Sequence, residues 1–172
     1  TLPSRFMLVG AMNPCRCGWY GHPSGRCRCT KQQVEKYVEK ISGPMLDRMD
    51  LHVNVPSVEF EAMRRREKAE SSADVRARVN KARERQKERF AGTSVACNAQ
   101  MTPAMVGEYC TLDASGEKLL KGAFDRLGLT ARSHDRLLRV ARTIADLDGS
   151  EKIEAQHLAE AIQYRNTDIL RG

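Results

Sequence analysis

The sequence has 172 residues, which is enough for one ordinary domain or two small ones. Charged residues make up 30% of the chain and aromatic residues only 5%, a balance that favours a helical protein with solvated faces. No apolar run reaches the roughly 18 residues of a transmembrane helix, so we expect no membrane partner, and the formal net charge of +7 suits a polyanion such as nucleic acid.

The first 57 residues have the pattern of an α/β structure. Residues 5–11, RFMLVGA, form an apolar run without alternation, which predicts a buried strand of a parallel sheet. A helix is predicted over residues 30–42, because Thr30 is a good N-cap and apolar residues recur every three or four positions up to a Gly-Pro pair. Residues 51–55 alternate between apolar and polar types, which predicts a second strand.

The rest of the sequence has helical patterns. Residues 60–90 predict one long charged helix, or two segments that meet near Ser71. Shorter helices are predicted near residues 103–110, 113–127, 130–147 and 153–164. We therefore expect an α/β piece over residues 1–57, a basic helical connector over 58–96 and an all-α helical region over 97–172.

Most of the positive charge lies in the connector. Residues 61–92 hold 11 Lys or Arg against 6 Asp or Glu, an excess of +5 out of the total of +7. Such a basic segment suits a nucleic-acid backbone. The alternative interpretation is a solvated helix covered with ion pairs.

Four cysteines are concentrated in the loop of residues 13–30. They form two C-x-C pairs separated by nine residues: Cys15, Cys17, Cys27 and Cys29. Four thiolates are the usual ligand set of a closed structural Zn²⁺ site, and the glycines and proline between the pairs allow the loop to fold back. Two alternatives are that His22 replaces one cysteine, or that the cysteines are free thiols. Because the sequence opens without a signal-peptide pattern, we expect a reducing, cytoplasmic location.

Three segments resemble a known family in the same order along the chain. They are FMLVGAMNPCRCGWYGHP (6–23), ISGPMLDRMDLHVNVP (41–56) and LTARSHDRLLRVARTIADLDGSEKIEAQHLAEAIQYR (129–165). Together they resemble the magnesium-chelatase-like AAA+ ATPases, and among these the ComM (YifB) type of bacterial competence protein. The chain contains no G-x-x-x-x-G-K-[ST] motif. The resemblance therefore implies a C-terminal part, with the end of a P-loop AAA+ core followed by a helical lid.

The resemblance also implies roles for three polar residues. Asn13 corresponds to sensor 1, whose neutral amide can contact both a phosphate and the attacking water. Arg48 corresponds to an arginine finger that acts on ATP bound by a neighbouring subunit. Arg132 corresponds to sensor 2, at a helix start that suits a phosphate. From the residues alone, an Asn-Pro turn at Asn13 and an ordinary ion pair of Arg48 with Asp47 or Asp50 are the favoured interpretations.

The function implied by the resemblance is that of a ring-forming ATPase, a hexamer that uses ATP and Mg²⁺. It would couple hydrolysis to DNA remodelling or branch migration in natural transformation and recombination. One alternative is the motor subunit of a metal chelatase, and another is a zinc-bearing nucleic-acid-binding module without ATPase activity. Because this chain lacks the P-loop lysine and the Mg²⁺ ligands of the family, we expect it to hydrolyse no ATP on its own.

Overall fold

The structure, a computed structural model, describes residues 6–56 and 69–165, except for the side chains of residues 131 and 132. The chain divides into two compact units, one within residues 1–46 and the other within residues 47–166. In the described part of the chain, no helix is both long enough and apolar enough to cross a lipid bilayer.

The regular secondary structure of the described residues is helical. Residues 6–56 contain α1 (Lys31–Val38) and α2 (Gly43–Arg48). Residues 69–165 contain α3 (Ser72–Arg89), a 3₁₀ turn (Asn98–Gln100), α4 (Pro103–Tyr109), α5 (Ala114–Leu127), α6 (Ala131–Asp148) and α7 (Ala155–Gln163). Helix α3 begins at the predicted break near Ser71, whereas residues 60–68 of the predicted long helix lie outside the described residues.

Short local signals start and end these helices. The hydroxyls of Thr30, Thr102 and Thr130 each accept a hydrogen bond from a backbone N–H in the first turn of α1, α4 and α6. These bonds satisfy donors that have no partner inside the helix. Gly128 and Gly149 end α5 and α6 at φ of 59° and 86°, where a residue with a Cβ would be strained. The N-cap predicted at Thr30 is therefore confirmed.

The second unit is built around α6. Leu137, Ala141 and Ala145 are completely buried and lie along one face of this helix. They pack in one core with residues of α7 that are also fully buried, Leu158 and Ala161. Burying a leucine side chain contributes about 1.5–3 kcal/mol, so this interface supplies much of the stability of the bundle.

Helix α3 presents most of its surface to solvent. All residues from 71 to 81 are exposed. In the C-terminal half, Ala82 and Gln86 are buried, as is Phe90, the residue that caps the helix. One short buried face therefore packs the C-terminal half of α3 against the rest of the second unit, and the basic side chains of α3 other than Arg89 are exposed to solvent.

A buried polar cluster joins α3 to α6. Asp146 is 1% exposed and accepts hydrogen bonds from Arg89 Nη1 at 2.8 Å, Asn98 Nδ2 at 2.8 Å and Arg142 Nε at 3.2 Å. Burial by itself raises the pKa of Asp146, but the hydrogen bonds from Arg89 and Asn98 and the charge of Arg142 lower it below its ordinary value. The carboxylate is therefore the shared acceptor that makes this charged cluster tolerable inside the protein.

The expectation of an α/β piece is wrong for the described residues. Neither residues 6–11 nor residues 51–55 form a strand, and the described residues contain no sheet. The side chains of Met7 and Val9 are 87% and 81% exposed, and that of Val55 is 83% exposed. An apolar run becomes a strand only when neighbouring strands pair its N–H and C=O groups and another layer covers its side chains. Neither condition is met here, so the apolar pattern was misleading.

Candidate functional site

The cysteine-rich loop reverses direction through a series of tight turns. The backbone N–H of Gly18 donates to the carbonyl of Cys15 at 3.0 Å, and Gly18 has a φ of 82°, which favours glycine. Further turns follow, with hydrogen bonds from His22 N to Trp19 O and from Gly25 N to His22 O, both at 3.2 Å. The successive reversals bring the second C-x-C pair back to the first.

The four cysteine sulfurs converge as predicted from their spacing. Cys15 Sγ lies 3.3 Å from Cys17 Sγ and 3.9 Å from Cys27 Sγ, and the latter two sulfurs are 3.6 Å apart. With Cys29 included, all four sulfurs lie within 4.8 Å of one another, and none forms a disulfide. Zn–S bonds of about 2.3 Å in a tetrahedron require sulfurs about 3.8 Å apart. The cluster therefore has the size and the ligand number to hold one metal ion.

The backbone around the cluster favours the thiolate form at Cys17. The backbone N–H groups of Trp19 and Arg28 donate to Cys17 and lower its pKa to about 6. The thiolate is the form that ligates metal. At Cys27 a backbone hydrogen bond from Cys29 lowers the pKa, but desolvation and the hydrogen bonds with Cys17 and Cys15 outweigh it and raise the pKa to about 11.

His22 is not part of the converged group, and its Nδ1 instead accepts a hydrogen bond from the backbone of Ser24 at 3.0 Å. The alternative in which His22 replaces a cysteine thus finds no support among these contacts.

Asn13 lies next to this cluster. It is exposed, and its Cγ and Nδ2 are 3.8 Å from the position that a Cβ on Gly18 would occupy. The side chain therefore lies beside the first turn of the cysteine loop. It does not follow a strand, because residues 6–13 form none. Its role as sensor 1 stays a prediction.

Arg48 and Arg132 both belong to the second unit, whereas Asn13 and the four cysteines belong to the first. Arg48 is the last residue of α2 and is exposed. Arg132 lies in the first turn of α6, between the N-cap Thr130 and Ser133. Thr130 and Ser133 form a capping box with each other. The predicted roles of the two arginines stay predictions.

Sequence reasoning missed a polar network at the end of α2. The carboxylate of Asp47 accepts from Ser133 Oγ at 2.9 Å and from Arg165 Nη2 at 3.0 Å. Arg136 Nη1 donates to the Asp47 carbonyl at 2.9 Å. Arg165 Nη1 donates in addition to the carbonyl of Met49. The segment that contains Arg48 is therefore held by the start of α6 and by Arg165, which lies two residues beyond the end of α7.

These contacts change the electrostatic environment of the Asp47 carboxylate. The hydrogen bond from Ser133 and the charge of Arg165 lower the pKa of Asp47 below its ordinary value. Ser133 is 2% exposed and Arg165 is 7% exposed, so both donors are buried. The partners of Asp47 are 86 and 118 positions away in the sequence. No local spacing rule can detect such pairs.

Known families match the chain along most of its length. Residues 69–165 match the family model described as magnesium chelatase, subunit ChlI C-terminal, and residues 1–63 match the one described as magnesium chelatase, subunit ChlI. The chain is 42% identical over 171 residues to the uncharacterized protein YifB of Escherichia coli K12, an alignment that covers 99% of the chain and 33% of that protein. It is 41% identical over 164 residues to the competence protein ComM of Haemophilus influenzae, covering 95% of the chain and 31% of that protein.

A YifB protein of Salmonella typhimurium shows the same pattern, with 40% identity over 171 residues. The chain spans about a third of the length of the curated relatives it matches. The two family matches follow each other along the chain, and the C-terminal one alone, over residues 69–165, takes in more than half of it. This chain therefore belongs to the magnesium-chelatase-like family and is of the ComM/YifB type.

Proposed function

We propose that the chain is the C-terminal part of a hexameric, ring-forming AAA+ ATPase in the cytoplasm. The whole protein couples ATP hydrolysis to DNA remodelling and branch migration in natural transformation and recombination. The observation that carries this proposal is the 41% identity, over 95% of the chain, to a relative named competence protein. The family match suggests ATP with Mg²⁺ as the nucleotide cofactor.

The proposal is tested on the full-length protein. We expect a G-x-x-x-x-G-K-[ST] motif upstream of residue 1, ATP hydrolysis that DNA stimulates, and ATP-dependent movement of a synthetic four-way junction. The 172-residue chain alone is expected to hydrolyse no ATP. An upstream sequence without that motif would remove the ATPase proposal. A hydrolysis rate that DNA leaves unchanged would favour the motor subunit of a metal chelatase, and DNA binding without hydrolysis would favour a nucleic-acid-binding module.

The charge distribution of α3 supports a DNA partner. Arg76, Arg83 and Lys87 are exposed and lie on one side of the helix, at spacings of seven and four residues. At 1.5 Å per residue they extend over about 16 Å, a length along which a DNA duplex carries several phosphates. Arg78 points to another side of the helix, where it forms an ion pair with Glu70 at 2.6 Å. The side with Arg76 and Arg83 is the better candidate for phosphate contacts.

Replacing Arg76 and Arg83 together by alanine is expected to weaken DNA binding at every sequence. Because each lost phosphate contact releases about 0.9 fewer counterions, the slope of log K against log salt should become shallower by about 2. The measurement is fluorescence anisotropy of labelled DNA with the full-length protein over a salt series. The matched control is Arg78→Ala on the same helix, for which we expect little change. Equal effects of the two variants would argue against this surface.

The cysteine cluster completes the proposal as a structural zinc site. Four sulfur ligands in a closed arrangement suit Zn²⁺, which has no redox chemistry and prefers a tetrahedron. The sulfurs of the four cysteines would take all four positions of a tetrahedral ion, so no coordination position would remain for a substrate. Zinc bound here would stabilise the loop of residues 13–30, which begins at Asn13.

Protein purified without chelator is expected to contain about one Zn²⁺ per chain, as a four-ligand site requires. Cys27→Ser should remove most of this zinc, because three thiolates and a hydroxyl form a weaker site. The control is Cys97→Ser, whose sulfur lies outside the cluster. Metal analysis gives the stoichiometry, and hydrogen exchange should show faster exchange in residues 13–30 without zinc, with the second unit unaffected. Freshly reduced protein without zinc would contradict this assignment.

A further inference from the structure

Arg165 contacts the chain on both sides of Arg48. It lies two residues beyond the last residue of α7 and is 7% exposed. One of its terminal nitrogens donates to the carboxylate of Asp47 at 3.0 Å, and the other donates to the carbonyl of Met49. Asp47 and Met49 are the residues immediately before and after Arg48. A single planar guanidinium therefore holds both ends of a three-residue segment.

The same segment has a second anchor at the start of α6. Ser133 Oγ donates to the Asp47 carboxylate at 2.9 Å, and Arg136 Nη1 donates to the Asp47 carbonyl at 2.9 Å. The hydrogen bond from Ser133 and the charge of Arg165 lower the pKa of Asp47, so this carboxylate is ionised at neutral pH and its hydrogen bond with Arg165 is charge-assisted. The backbone that carries Arg48 is thus fixed, while the Arg48 residue itself is exposed.

We propose that Arg165 is a positioning residue for Arg48, which it holds in the orientation needed to reach a nucleotide on a neighbouring subunit. This inference rests on the proposed function, in which Arg48 is the arginine finger. A cation that stabilises a transition state contributes most when it is held in place beforehand, and a displacement of about 1 Å can cost about 10²-fold in rate. Ser133 adjoins Arg132 in the sequence, so the network also connects the segment of the proposed finger, Arg48, with the helical turn that contains the proposed sensor 2, Arg132.

The test measures ATP hydrolysis by the full-length protein. Arg165→Ala is expected to lower kcat by about 10²-fold and to leave the KM for ATP unchanged, because Arg48 contacts the transition state more than the bound substrate. In a protein that already carries Arg48→Ala, Arg165→Ala should cause no further loss, since its effect is transmitted through Arg48. A residue that only stabilised the fold would lower activity in both backgrounds.

Two further variants make the result decisive. Arg165→Lys keeps the positive charge but reaches only one of the two acceptors, so its kcat should fall between those of Arg165→Ala and the wild type. It serves as the test if Arg165→Ala fails to fold. Arg89→Ala is the matched control, because Arg89 also forms a largely buried ion pair, with Asp146, away from Arg48. It should lower the unfolding temperature without a selective loss of kcat.

The proposal and the function on which it rests fail in different ways. Wild-type kcat in both folded Arg165 variants, or an additional loss in the Arg48→Ala background, would overturn the positioning role. A wild-type protein without ATPase activity would instead remove the proposed function. An active wild type in which Arg48→Ala has no effect would show that Arg48 is not the finger, and the positioning role would fall with it.

Discussion

Replacing Arg48 by alanine in the full-length protein is expected to leave ATP binding nearly unchanged and to lower the hydrolysis rate by about 10³–10⁵-fold. An arginine finger stabilises the charge that develops on the transferred phosphoryl group and contributes little to binding of the ground state. The measurements are the kcat for ATP hydrolysis and the Kd of a non-hydrolysable ATP analogue. Both are made on rings whose assembly has been verified.

Arg126 offers a control for this experiment, since it is an exposed arginine in the last turn of α5, outside the α2 network. Arg126→Ala should retain the wild-type rate. A wild-type rate in Arg48→Ala would show that the family role does not transfer to this residue. Tighter or weaker nucleotide binding with an unchanged kcat would indicate a ground-state contact instead.

Mixed rings separate the two arginines further. Arg48→Ala subunits mixed with subunits that lack the P-loop lysine should recover some activity, because each contributes the half-site that the other lacks. The same mixture with Arg132→Ala should recover none, because both lesions then affect the same subunit's nucleotide. Recovery with Arg132→Ala, or none with Arg48→Ala in rings shown to be mixed, would mean that the two roles are assigned to the wrong arginines.

Replacing Asp146 by alanine is expected to lower the free energy of unfolding by about 3–5 kcal/mol, the usual cost of removing one partner of a buried ion pair. Arg142 is 2% exposed and Arg89 has a side chain 16% exposed, so both would keep charges that are poorly solvated and have lost their shared carboxylate. The side-chain amide of Asn98 would lose its acceptor as well. Urea unfolding of the 172-residue chain, followed by circular dichroism, measures this change.

The exposed pair of Lys87 and Glu84 is the control, since its atoms are 3.8 Å apart and both side chains are more than two-thirds exposed. Glu84→Ala should change the free energy of unfolding by less than about 1 kcal/mol. Equal losses in Asp146→Ala and Glu84→Ala would refute the role of the buried cluster.

Low pH should destabilise the protein in the same way as the Asp146 substitution. Because folding lowers the pKa of Asp146, its contribution is fully present above the ordinary carboxyl pKa of about 3.9 and is lost as the pH falls below that value.

Local features of this protein were predictable from its sequence. The bounds of α4 to α7 follow from apolar spacing and from caps such as Thr102, Thr130 and Gly149, and the structure has helices there. The cysteine cluster was predictable for a similar reason, because its four sulfurs lie within 15 residues of flexible, glycine-rich chain. In both cases the interacting groups are close in the sequence, so short-range geometry is enough.

The predicted strands at residues 5–11 and 51–55 show the limit of such reasoning. Alternation and apolar runs report which side chains avoid water, but not whether partner strands are present to pair the backbone. The backbone hydrogen bonds of a helix form within one segment of the chain, whereas those of a strand need another strand as a partner. The described residues supply no partner, and Leu51 and Val53 remain 52% and 66% exposed.

By itself, the sequence determined the family, the helices with their caps, the basic character of α3 and the grouping of the four cysteines. Only the tertiary structure decided which polar groups meet across the chain. Arg89 and Asp146 are 57 positions apart, and Arg165 and Asp47 are 118 positions apart. Charged residues are common in this sequence, and any of its arginines could in principle pair with any of its carboxylates. The packing of α6 against α7 and α3 selects these particular pairs. It brings their side chains together in buried places, where a charged group without its protein partner would have no water to replace that partner.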